Sequence, residues 1–77
     1  MPQTYHVTVF RHRDEWRAVC PALLQHGAEI GGETREEALT HMEGVMVMIL
    51  SEIAANSAIP PSDEAVPGGI PLTVEIG

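Results

Sequence analysis

The side chains that could do chemistry in this chain are scattered along it. Glu29 and Glu75 are the two carboxylates at positions that read as strands, while the other acids gather at a helix start, in turns or along a helix surface. Divalent-metal hydrolysis of phosphodiesters needs several carboxylates converging on the ions, to neutralise the charge that develops at phosphorus. Two isolated strand acids do not supply that, so neither a metal centre nor nuclease activity is expected. His6, His12, His26 and His41 show no i, i+4 spacing, and a zinc site would have to be assembled from distant elements. Their plain reading is an outward strand face for His6, a turn for His12 and the exposed side of a helix for His41. Cys20 is the only cysteine, which excludes an internal disulfide and gives no paired-ligand spacing. Ending an apolar strand, it reads as a small buried hydrophobe and not as a nucleophile. Arg11, Arg13 and Arg17 crowd one hairpin, but Asp14 and Glu15 sit among them without an aromatic ladder, so they read as a solvated tip. No catalytic, metal or cofactor residue is assigned, and the chain reads as a binding protein, not an enzyme.

Charge and length narrow the partners. The 77 residues carry 11 acids against 4 arginines and no lysine, for a formal net charge of -7. That disfavours direct contact with nucleic acid or an anionic membrane and favours a basic protein. A chain this short forms one domain, 1–77, and buries only ~60% of the surface its unfolded form exposes, so burial between subunits would help it. No run reaches the ~18 uninterrupted apolar residues of a membrane span, and Met1-Pro2-Gln3-Thr4 lacks a charged-then-apolar leader. A cytoplasmic location is the expectation.

The elements that position these residues are legible from alternation and capping. Tyr5, Val7 and Val9 alternate with His6, Thr8 and Phe10 in a first strand. Arg11–Glu15 is a charged connector, and Trp16, Ala18 and Cys20 alternate with Arg17 and Val19 in a second strand whose Trp16 packs under the helix. Pro21 ends that strand, Ala22–Gln25 connect, and His26–Ile30 make a third, giving an antiparallel meander. Gly31 and Gly32 let the chain turn into a helix from Thr34 to about Asn56. Thr34 accepts from the amide three residues on, Glu37 reaches back to the Thr34 amide, and Glu36 and Glu37 complement the helix dipole. Ala38, Leu39, Met42, Val45, Met46, Ile49, Leu50 and Ile53 form its core face. Residues 57–69 are a Pro- and Gly-rich connector without a packing pattern. Ile70, Leu72, Val74 and Ile76 then alternate in a last strand that shares the core with the helix. The fold class is α+β: a three-stranded antiparallel meander, one long helix on one sheet face and a C-terminal strand.

On the outer side of that helix, at about 100° per residue, Gly44, Met48, Ser51 and Ala55 fall together with Val47 at their margin. Small residues allow another backbone to come close, and a contact there would account for Gly44, which costs about 1 kcal/mol relative to alanine inside a helix. These five residues are the expected interface of a homo-oligomer, a dimer or tetramer.

The order of elements and the local motifs resemble the N-terminal domain of HicB-type antitoxins over nearly the whole chain. The residues that carry the likeness are Tyr5, Val7 and Val9; Ala18 to Pro21; Gly27; Gly32-Glu33-Thr34 with Glu36-Glu37-Ala38-Leu39; and Ile59-Pro60-Pro61. These motifs are structural, not catalytic. The segment between Pro21 and Gly27 is longer than the family's usual connector, and the sequence ends at Gly77 where such antitoxins often continue into a DNA-binding domain. The resemblance implies a partial RNase H-like fold without RNase activity, oligomerisation, and neutralisation of a small, basic, RNA-cleaving toxin. Glu33, Glu36, Glu37, Asp63 and Glu64 are then the expected toxin contacts. The alternative is a stand-alone homo-oligomeric domain that binds another ligand or regulator and has no toxin.

Overall fold

A computed structural model describes residues 2–64 and 66–76. Strand β1 spans Pro2–His12 and β2 spans Glu15–Val19, so only Arg13 and Asp14 separate them. Arg13 adopts φ 59°, the left-handed conformation that a two-residue hairpin turn requires. Most of the expected connector is therefore strand: Arg11 pairs with Trp16 and His12 with Glu15. After β2, Pro21–His26 winds into a 3₁₀ helix with Pro21 in its first turn, where the missing N–H costs nothing. Gly27 closes it at φ 90°, donating its N–H to the Leu24 carbonyl at 2.9 Å. Strand β3 consequently starts later than the expected His26 and runs Glu29–Gly32.

The helix α1 spans Arg35–Ala55 with Thr34 as its cap, whose Oγ1 accepts from the Glu37 N–H at 3.0 Å. The Glu37 carboxylate reaches back one residue further than expected, accepting from the Glu33 N–H at 3.1 Å. Ala38, Met42, Met46, Ile49, Leu50 and Ile53 are buried, and Leu39 and Val45 pack half-buried beside them. They meet Tyr5 and Val7 of β1, Ala18 and Cys20 at the end of β2, and Leu23 and Ala28 of the following turn. Trp16 packs half-buried against the same cluster. The last strand, β4, is Ile70–Glu75; Val74 is buried in this core, and Leu72 and Ile76 pack against it.

All neighbours in the four-stranded sheet are antiparallel, in the order β3-β2-β1-β4. The two partners of β1 are staggered, β2 along Thr8–His12 and β4 along Pro2–Val7. Past Val19 the chain leaves the sheet, and the connector fills the vacated place. The His6 N–H donates to Asp63 Oδ1 at 2.8 Å, the His6 ring Nδ1 meets Asp63 Oδ2 at 2.6 Å, and the Tyr5 hydroxyl donates to the Pro61 carbonyl at 2.6 Å. The backbone N–H that β2 leaves unpaired at His6 finds its partner in a side chain. By length and composition α1 would pass for a membrane span, yet Met42, Met46, Ile49, Leu50 and Ile53 are buried in this core.

Candidate interaction surface

The outer face of α1 is open. Gly44, Val47, Met48, Ser51 and Ala55 are all exposed, Met48 by 61% of its surface, and a Cβ added to Gly44 would meet nothing within 4 Å. At about 100° per residue, Glu36 and Glu43 border this stripe on one side and Glu52 on the other. All three glutamates are exposed. The outer face thus exposes Val47 and Met48 among small and polar residues, a patch that a partner could cover. The structure brings the five expected interface residues onto one surface.

It does not bring the five expected toxin-contact acids together. Glu33, Glu36 and Glu37 lie at the start of α1, beside Gly32, which pairs with Trp16 and through it with Arg11. Asp63 sits at His6, five strand residues away, or roughly 17 Å at the usual rise per residue. Asp63 is also engaged, and Glu37 is committed to the cap; Glu33, Glu36 and Glu64 are exposed, and among the described residues their side chains make no hydrogen bond or ion pair. Glu29 and Glu75, the two carboxylates expected on strands, lie on β3 and β4, opposite edges of the sheet, and Glu15, expected in a connector, is a third at the start of β2.

The titratable groups serve the fold. Desolvation raises the Asp63 carboxyl, but the hydrogen bonds and charge of His6 outweigh it and hold the group below its ordinary range. Burial pushes the Cys20 thiol up, against weaker lowering by the Leu23 and Ala22 amides. Burial likewise raises Tyr5, with Cys20 and Asp63 adding to it. Arg17 lies between Glu15 at 2.9 Å and Glu29 at 3.4 Å, so one of the hairpin's three arginines is already neutralised. His41 is exposed, as expected, but its Nδ1 lies 3.0 Å from the Gly31 carbonyl. Among the described residues no three His, Cys, Asp or Glu side chains gather as metal ligands. A cleft of about 330 Å³ lined by His26, Ile49, Glu52, Ile53, Asn56 and Ala58 holds one histidine and one carboxylate.

Comparison with family models, with curated proteins and with solved structures gives no match to this chain. The roles of Asp63 and His41 were not legible in the sequence, because each depends on a contact far along the chain. Pro71 did carry a signal: a proline inside an alternating strand belongs on a sheet edge, and β4 is one.

Proposed function

We propose that this protein is a non-catalytic, HicB-like antitoxin that binds and neutralises a small, basic, RNA-cleaving protein. The observation that carries this reading is the exposed apolar stripe of α1 between glutamates, on a chain of net charge -7. An RNA-cleaving protein must present cations to phosphates, and an acidic surface with an apolar centre complements such a face. Occlusion then inhibits without any catalysis, and long-range attraction steers the encounter. The motifs around Thr34, Gly27 and Pro60-Pro61 support the same reading by resemblance. Glu33 and Glu36 at the start of α1 are the contacts it favours, beside Met48 and Val47, with Glu64 lying apart from them on the connector; a cytoplasmic location belongs to it.

Co-expression with the product of any adjacent short, basic reading frame tests the proposal. That product should arrest growth alone and be harmless and bound beside this chain. A product harmless alone, or still toxic and unbound beside this chain, overturns it. The second reading, a stand-alone homo-oligomer, is favoured by the open space over Gly44, which would admit a second helix. It expects self-association abolished by Met48→Glu, with no toxic neighbour.

A further inference from the structure

The hydrogen-bond phase of the sheet shows which backbone groups its edges leave open. Because the His6 N–H goes to Asp63, the pair His6 and Pro71 is a non-hydrogen-bonded one. The same alternation makes Thr4–Thr73 and Pro2–Glu75 non-hydrogen-bonded, consistent with the 2.7 Å approach of the two threonine hydroxyls. Pro71, Thr73 and Glu75 therefore turn their backbone groups outward, and among the described residues no partner meets the Thr73 or Glu75 N–H. The β3 edge is different. Cys20 donates to the Ala28 carbonyl at 3.0 Å, which sets the phase there and turns Glu29 and Gly31 outward. The Glu29 N–H is then consumed by the Gly27 carbonyl at 2.8 Å, and the Gly31 carbonyl is capped by His41.

We infer that the β4 edge is an interface with a second copy of this chain, paired antiparallel about Thr73. The pattern of outward groups is self-complementary in that register. The two Thr73 residues exchange N–H and carbonyl bonds, and each Glu75 N–H donates to the partner's Pro71 carbonyl. Pro71 contributes only an acceptor, so its missing N–H leaves just one carbonyl per chain to water. Side chains agree as well. On the helix side Leu72 faces the partner's Val74, and Ile76 faces the partner's Ile70. On the other side Glu75 faces the partner's Pro71, so no like charges oppose each other across the junction. Ile76 also lines an apolar cleft of about 210 Å³ with Gln3, Leu50, Ala54 and Pro60, placing apolar surface next to the edge where the partner's Ile70 arrives. A twofold axis through Thr73 is the isologous arrangement commonest in dimers. It leaves the outer face of α1 free, so the inference does not depend on the toxin reading.

Light scattering and sedimentation of the full chain, Thr73→Pro and Met48→Glu, across about 1 to 200 μM, form the test. Proline at 73 removes an outward N–H and no backbone bond to β1, losing toward β1 only the exposed hydroxyl contact with Thr4, so the fold should survive. The unsubstituted chain should dimerise, Thr73→Pro should raise the dissociation constant at least tenfold with unchanged circular dichroism, and Met48→Glu should leave dimerisation intact. A monomeric unsubstituted chain, or a Thr73→Pro dimer of undiminished affinity, overturns the inference. Should Thr73→Pro fail to fold, amide exchange of the unsubstituted chain decides. Protection of Thr73 and Glu75 that rises with concentration upholds the edge interface, and protection independent of concentration overturns it.

Discussion

Two glycine-to-alanine substitutions should move stability in opposite directions, because one site is closed by backbone and the other is open. A Cβ on Gly32 would lie 2.6 Å from the Ala38 nitrogen, 3.0 Å from the Glu37 carbonyl carbon and 3.1 Å from the Ala38 Cα. All are main-chain atoms of the first turn of α1, so relief requires shifting the helix against β3. Overpacking of this kind costs about 2 kcal/mol. With an unfolding entropy near 2.1 cal/mol/K per residue, that lowers the melting temperature of a chain this size by about 12 °C. Gly44 meets nothing within 4 Å and sits inside the helix, so alanine there should add about 1 kcal/mol, a rise of about 6 °C. Thermal melts followed by far-ultraviolet circular dichroism, at a concentration that keeps the chain monomeric, report both. An unchanged or raised melting temperature for Gly32→Ala would refute the close β3–α1 joint. A lowered one for Gly44→Ala would refute the open outer face.

The Asp63 carboxyl titrates below its ordinary 3.8 in the fold, so it contributes stability at pH values above 3.8 that is lost as pH falls through the folded-state value. Asp63→Asn should therefore melt lower than the unsubstituted chain at neutral pH, with the gap closing as pH falls below 3.8; a gap constant with pH would contradict this. Cys20 is fully buried with its thiol pKa raised, so a thiol-labelling reagent should modify it only as fast as the chain unfolds, and rapid stoichiometric labelling of the native protein would contradict its placement.

Local rules carried most of the fold. The cap at Thr34, the core stripe from Ala38 to Ile53 and the alternation of Leu72, Val74 and Ile76 each follow from spacing within a few residues, and each appears in the structure. Where strand boundaries shifted, a left-handed residue was the cause. Arg13 at φ 59° tightens the hairpin, and nothing in Arg11–Glu15 marks an arginine for that conformation. Gly27 was visible as a glycine, but its pairing with a 3₁₀ turn that delays β3 was not. The connector carried no periodic signal because its order comes from single bonds to Tyr5 and His6, more than fifty residues away in sequence. The outer stripe of α1 was legible by the same periodicity as the core, whereas the scatter of the acids expected to join it was set by tertiary position.

The central claim, that this chain inhibits by covering a basic RNA-cleaving partner, is tested most directly by titrating it into RNA cleavage by the purified product of an adjacent basic reading frame. Cleavage should fall to background near equimolar chain, and association should slow markedly as salt rises, because screening shortens the reach of the acidic surface. Undiminished cleavage in the presence of excess chain would contradict the account.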